Sequence, residues 1–308
     1  MTRYRSLLGF LSLAVIWGSA FVAIEIGLTS LPPVLFAAVR YDIAAVVMLA
    51  YAAYATDDPI PRGRAAWLVV AVGASLLIAA YHVFLFVGQQ HTTAAAAAIV
   101  VSLSPMLTTG FARALVPSDA LSATGVVGLA IGLVGVAFVV RPDRGGVGSA
   151  ETVGGVLVFC GAAAFAFGSV LTRRIDADLS IETMQAWSML GGALLMHLVS
   201  LAIGERFVPA DWTTPEAVGA VVYLSVVASA LGFLLYFDLL ARLGAVEINM
   251  VSYAVPPVTA VVGWLALGQG VGPSTAFGFG CIVVGFVLVK RRALREELVS
   301  IRRWWPAG

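Results

Sequence analysis

The chain has 308 residues, of which 60 % are hydrophobic and only 11 % charged, with a formal net charge of +1. Soluble domains carry about 25 % charged residues, so a water-soluble globular fold is excluded, and a balance this close to zero gives no footprint for nucleic acid. The mean hydropathy of +0.98 belongs to a chain that spans a membrane many times.

An apolar window of about 20 residues crosses the hydrocarbon core, and ten such windows follow one another. The first, 6–27, sits behind Arg3 and Arg5 and contains Gly18-Ser19-Ala20, the pattern of a signal peptide with a small-residue cleavage site. Gly18-Ser19 recurs as Gly168-Ser169 deep in the chain, where no cleavage occurs, so the segment is expected to stay as an uncleaved first helix. The second, 33–55, holds Arg40 and Asp42, and the loop Asp57 to Arg64 with Pro59 and Pro61 follows it. The third, 66–89, carries Tyr81 and His82; the fourth, 94–116, opens with Ala94 to Ala98 and contains Pro105. The fifth, 121–140, is the shortest and stacks Gly125, Gly128, Gly132 and Gly135 on one face. Beyond a Gly-rich linker at 142–152 come 153–173 and then 183–204, the most polar, with Gln185, Trp187 and His197. The eighth, 216–238, holds Tyr236; the ninth, 246–268, holds Asn249, Tyr253 and Pro256-Pro257; the tenth, 274–290, holds Gly278, Gly280 and Gly285. A closed barrel would alternate over segments of about 10 residues, so these continuous runs predict an all-α polytopic membrane protein. Residues 293–308 are expected to form a basic tail anchored at the interface by Trp304-Trp305.

The two halves match at an offset of 150 residues: Ser75 with Ser225, Ser102 with Ser252, Gly128 with Gly278, Gly135 with Gly285, and Ala80 to Phe86 with Ala230 to Tyr236. Residues 1–141 and 153–292 are therefore expected to be two repeats. With the N-terminus inside, fourteen Arg and Lys residues lie on the inner side and three (Arg141, Arg144, Arg206) outside. That bias puts both termini in the cytoplasm. Five spans per half is an odd number, so the repeats are inverted, an arrangement that in transporters encloses a substrate site near the bilayer midplane. The glycine-lined fifth and tenth spans read as a close-packed scaffold.

Trp17-Gly18-Ser19-Ala20-Phe21, Phe36-Ala37-Ala38-Val39-Arg40 and the run Ala96 to Pro105 in the first half resemble the EamA-like branch of the drug/metabolite transporter superfamily. Ala230 to Tyr236 and Ser252-Tyr253-Ala254-Val255-Pro256 in the second half extend the resemblance over nearly the whole chain. It implies a ten-helix carrier in which the first four helices of each half surround a cavity and the fifth packs outside, with amino acids or other small metabolites exported. Two departures stand out. Where the family shows Leu-Gly-Glu after the fourth and ninth helices, this chain has Asp119 and Gln269, and Glu25 occupies a position where many relatives place lysine.

Charged groups inside spans are functional candidates by default. Glu25, Arg40 and Asp42 lie at comparable depth, so a Glu25–Arg40 salt bridge joining the first two helices is expected; the alternative makes Glu25 or Asp42 a proton-coupling carboxylate. Pro105 and Pro256-Pro257 each free a backbone carbonyl, and paired breaks in inverted repeats point to gating or cavity lining. His82 and His197 are expected to be hydrogen-bonded core residues. Trp17, Tyr81, His82, Gln185, Trp187, Tyr236, Asn249 and Tyr253 would supply a cavity suited to a small amphipathic solute. Cys160 and Cys281 lie within spans, no metal spacing is present, and no cofactor is expected. There is no His-Glu-x-x-His, no P-loop, no Gly-x-Ser-x-Gly elbow and no potassium-filter motif, which points away from enzymes, ATP-driven pumps and channels. The expected function is a secondary carrier, monomeric or else homodimeric, whose partners are a small-molecule substrate and the bilayer; a lipid scramblase or a membrane scaffold is the competing class. If Glu25 couples protons, Glu25→Gln leaves the folded protein intact and abolishes the pH dependence of transport. Unchanged pH dependence in proteoliposomes removes Glu25 from coupling.

Overall fold

Lipid offers no hydrogen bonds, so each spanning segment must satisfy its own backbone as a helix. The computed structural model describes residues 2–115, 123–140 and 148–303, and shows helices and no strand among them. They are α1 (Thr2–Gly27), α2 (Pro33–Ala55), α3 (Gly63–Gln89), α4 (Ala94–Leu115), α5 (Ala123–Val139), α6 (Ala150–Arg174), α7 (Ile181–Ala202), α8 (Pro215–Leu243), α9 (Glu247–Leu267) and α10 (Pro273–Arg303). Eight are long and apolar enough to cross a bilayer; the apolar parts of α5 and α10, Thr124–Val140 and Pro273–Val289, are shorter. The tail continues α10 as far as Arg303. Trp304-Trp305, Asp119, Gly145 and Gly146 lie outside the described residues.

Hydroxyl side chains start several helices. Thr93, Ser149, Ser180 and Thr214 each accept the backbone N–H three residues on, beginning α4, α6, α7 and α8. Two helices contain a π-helical stretch at matching places, Gly73–Ala80 in α3 and Tyr223–Leu231 in α8. Such stretches are rare and frequent at functional sites, and nothing in the hydropathy pattern announced them.

The proline expectation needs correction. In α4 the helix gives way at Ser102–Leu103, just ahead of Pro105, the second residue of its second part, Ser104–Leu115. The carbonyl that Pro105 cannot serve, that of Val101, accepts the Ser104 hydroxyl at 2.7 Å. In α9 the interruption falls at Met250, and the helix Val251–Leu267 runs on through Pro256 and Pro257.

Packing couples the halves. α1 lies along α9 and α6 along α4; α3 contacts α6 and α7, and α8 contacts α1 and α2; α2 packs on α7, and α5 on α10. Exchanging the halves maps this set of pairs onto itself. Both helices of the α2–α7 pair bury small and apolar side chains, among them Ala37, Ala44 and Met48 on α2 and Ala186, Met189, Ala193 and Met196 on α7. In the α5–α10 seam a Cβ on Gly128 would meet the Gly285 carbonyl at 2.6 Å, and one on Gly135 the Gly278 carbonyl at 2.5 Å. Ascending residue numbers in α5 thus meet descending ones in α10. Equivalent helices of the two repeats run antiparallel, which is the inversion that odd span counting requires. Leu7, Leu8, Leu11, Val46, Leu198 and Leu265 are among the large apolar side chains left exposed around the periphery, as lipid contact requires.

The glycine seam yields a test. Gly135→Ala must displace backbone, and such overpacking is expected to cost about 1–3 kcal/mol. Gly280, beside which a Cβ meets nothing within 4 Å, tolerates alanine. Thermal unfolding midpoints in detergent should fall for Gly135→Ala and hold for Gly280→Ala.

Candidate functional site

Successive helices reverse direction, so the start of α1 and the α2–α3 and α6–α7 connections share one face, called here the N-terminal face. The α1–α2, α3–α4, α7–α8 and α9–α10 connections share the opposite face. Hydrogen bonds agree: on the N-terminal face Trp187 Nε1 donates to Pro59 O (2.9 Å) and Thr183 Oγ1 to Asp58 O (3.1 Å), tying the α2–α3 connection to the start of α7.

A cavity of about 450 Å³ lies between the halves, within the roughly 300–1,000 Å³ usual for small-molecule sites. Its closed end is formed by Arg40 and Tyr41 of α2 and Tyr81 and His82 of α3. Its walls are Trp17 of α1, Ser102 of α4, Phe165 and Ser169 of α6, Gln185 of α7, Phe233 and Tyr236 of α8, and Asn249 and Ser252 of α9. Lining residues continue through Arg173 and Ile175 to Leu179 and Ile181, so the cavity opens at the α6–α7 connection on the N-terminal face. Among the described residues, no lining residue comes from a connection on the opposite face.

Both π-helical stretches face this cavity, and their geometry is shared. A π turn leaves backbone carbonyls available to other donors. Ala228 O in α8 accepts Trp17 Nε1 at 3.2 Å, and its counterpart at the 150-residue offset, Ile78 O in α3, accepts His82 Nδ1 at 2.8 Å. Because a carbonyl only accepts, His82 carries its hydrogen on Nδ1, and Nε2 meets the Tyr41 hydroxyl at 2.9 Å. Trp17 stacks against Tyr236 and Phe233 with centroids 5.6 and 5.8 Å apart. Tyr81 lies against His82 and Phe165 at 4.5 and 5.4 Å. The Arg40 guanidinium donates from Nε to Ser229 Oγ at 3.1 Å and has the Tyr41 and Phe86 rings within 5.1 and 5.9 Å.

The opposite face is closed by Glu25. One carboxylate oxygen accepts Ala94 N, the first residue of α4, at 2.7 Å, and the other accepts Gln269 Nε2 just beyond α9. One side chain thereby joins the ends of α1, α4 and α9. A carboxylate at a helix N-terminus takes orphan N–H groups and faces the positive end of the helix dipole. Beneath it Gln89 Nε2 donates to Phe21 O at 2.6 Å. Glu205 makes a second cap of this kind, accepting Val34 N and Leu35 N at the start of α2 (2.9 and 2.7 Å). The residue equivalent to Glu25 in the second repeat is Ile175, which has no charged group to offer and lines the open mouth.

The structure gathers Trp17, Tyr81, His82, Gln185, Tyr236, Asn249 and Arg40 in one cavity and places the other candidates elsewhere. The Glu25–Arg40 bridge is absent, because Glu25 points to α4 and α9 while Arg40 points to Ser229 of α8. Trp187 is engaged with Pro59 and stacks on Trp67 at 5.3 Å. Tyr253 packs on Phe286 of α10 at 4.2 Å and its buried hydroxyl has no partner. Asp42 pairs with His197 Nε2 at 2.7 Å across the α2–α7 seam, with side chains 42 % and 35 % exposed, so His197 is bonded but is not in the core. Pro105, Pro256 and Pro257 do not line the cavity. Among the residues sequence reasoning missed are Tyr41, Phe165, Ser169, Ser102 and Ser252. The last three belong to the Ser pairs that marked the repeat, which was the available signal. No group of three or more His, Cys, Asp or Glu among the described residues suits a metal ion.

The chain is 29 % identical over 299 residues to the uncharacterized inner membrane transporter YedA of Escherichia coli K12, covering 93 % of this chain and 92 % of that one. It is 28 % identical over 296 residues to a protein of Streptantibioticus cattleyicolor named as a probable terminal-alkyne amino-acid exporter, covering 94 % and 95 %. A crystal structure 24 % identical in sequence superposes with a TM-score of 0.67 over 96 % of this chain and 99 % of the other, which establishes a shared fold. The sequence model of the EamA-like transporter family matches residues 5–141 and again 152–291. A duplicated match spanning both halves, on a ten-helix frame around a one-sided cavity, makes this multi-pass membrane protein a member of the EamA-like transporter family.

Proposed function

We propose that this protein is a secondary carrier that exports small amphipathic metabolites, amino acids foremost, across the cytoplasmic membrane by alternating access, with both termini in the cytoplasm. The observation that carries the reading is the one-sided cavity, open between α6 and α7 and closed on the opposite face by the Glu25 knot. With the N-terminal face cytoplasmic, as the Arg and Lys distribution favours, this is the state that loads substrate from inside. Release outside requires the Glu25 contacts to break and the mouth to close, with the halves rocking about the enclosed site. The substrate class draws support from the exporter named among the relatives. The aromatic walls of Trp17, Tyr81 and Tyr236 and the serine hydroxyls suit an apolar body with a polar head.

Two measurements test this. With Cys160 and Cys281 changed to serine, a cysteine replacing Ser252 should react with a membrane-impermeant maleimide from the cytoplasmic side and resist it from outside. Adding Glu25→Ala removes a cap contributing about 1 kcal/mol and should raise outside labelling about fivefold. Equal labelling of the parent from both sides defeats the one-sided reading. Counterflow of pooled radiolabelled amino acids in proteoliposomes should show exchange of one amphipathic group; with folded protein and no exchange, amino acids are not the cargo.

A further inference from the structure

The formal charge lining the cavity is all of one sign. Arg40 stands at the closed end, 6 % exposed, and Arg173 stands exposed at the mouth, while no Asp or Glu among the described residues lines the cavity. The acidic groups nearby are committed or face away. Glu25 is held by Ala94 and Gln269, Asp42 by His197 on the outer flank. Asp176 and Asp178 alternate with the lining residues Ile175, Ala177 and Leu179 and are exposed outside the mouth.

Arg40 is therefore a buried cation without an ion pair among the described residues. A guanidinium presents five N–H donors, and here only Nε is bound, to Ser229. The π-helical stretch of α8 supplies that serine, and the Tyr41 and Phe86 rings hold the group from the side. The two terminal nitrogens, the fork that grips carboxylates in pairs, are left without a protein acceptor. Taking an ion out of water with no counter-charge is costly, and such groups at membrane depth mark substrate paths.

We propose that Arg40 is the anchor for a carboxylate of the transported molecule, with Trp17, Tyr81 and Tyr236 receiving its apolar body and Arg173 drawing anions to the mouth. The inference rests on the carrier reading for the identity of the ligand as cargo and goes beyond it in chemistry. Since nothing anionic lines the cavity, an ammonium group gains no charge partner. The site should accept apolar monocarboxylic acids at least as well as the corresponding amino acids and should discriminate against amines.

Three molecules with one body separate the terms: 3-phenylpropionate, phenylalanine and phenethylamine. Binding to the purified full-length protein in detergent, followed by calorimetry, needs no transport. The acid and the amino acid should bind and compete, and the amine should bind about tenfold or more weakly. Arg40→Gln should lower affinity for the acid about tenfold or more and leave the amine unchanged, while Arg40→Lys retains part of the preference. The comparison on unaltered protein stands even if the variants fail to fold. Amine binding as tight as acid binding overturns the proposal, as does unchanged acid affinity in a monodisperse Arg40→Gln protein, or no binding of the acid. Acid-selective binding without counterflow keeps the anion site and removes the carrier reading. Amino-acid counterflow indifferent to Arg40→Gln does the reverse.

Discussion

One carboxylate ties the two halves together on the face opposite the cavity mouth. Glu25 satisfies the first N–H of α4 and the amide of Gln269 beyond α9, so three helix ends from both halves meet on one side chain. The equivalent position in the second repeat is Ile175. Two nearly matched halves thus differ at this position: one carries a carboxylate that joins three helix ends, while the other carries an apolar side chain at the mouth. The pseudo-symmetry of the two repeats is broken here by a single charged residue near the end of α1. The Gln269 amide donates to Glu25, where a carboxylate at that distance would instead repel it.

The second constraint is the backbone. Three irregularities in the spans come with a side-chain donor for an exposed carbonyl. Ser104 serves Val101 ahead of Pro105, Trp17 serves Ala228, and His82 serves Ile78. All three donors line the cavity, and two of them bond carbonyls of the π-helical stretches of α3 and α8. The indole and imidazole are oriented by main chain and packed against the aromatic side chains of the wall.

Much of this was legible in the residues. Hydropathy marked the spans in their correct order, and the glycines of the fifth and tenth spans read correctly as a scaffold, because close packing of small side chains is a local property. Seven of the polar and aromatic candidates also meet in the cavity. What failed depended on rotation about helix axes. Trp187 and Tyr253 sit on cavity helices but turn toward Trp67 and Phe286, and α7 and α9 have no clean apolar stripe to betray the direction. Depth alone suggested that Glu25 and Arg40 would pair; their azimuths send them to different neighbours. The π-helical stretches left no trace in composition, since a π turn depends on tertiary donors that lie far away in sequence.

The glycine seam has a mechanical consequence. In the α5–α10 pair each backbone sits in the notch left by the other's missing side chains, at two points along its length. Sliding one helix along the other would drive Cβ-bearing neighbours into carbonyls, whereas a small swing about the line of contact leaves the notches engaged. The pair is a fulcrum that permits tilt and forbids translation. In the proposed rocking of the halves, any excursion would then grow with distance from α5 and α10.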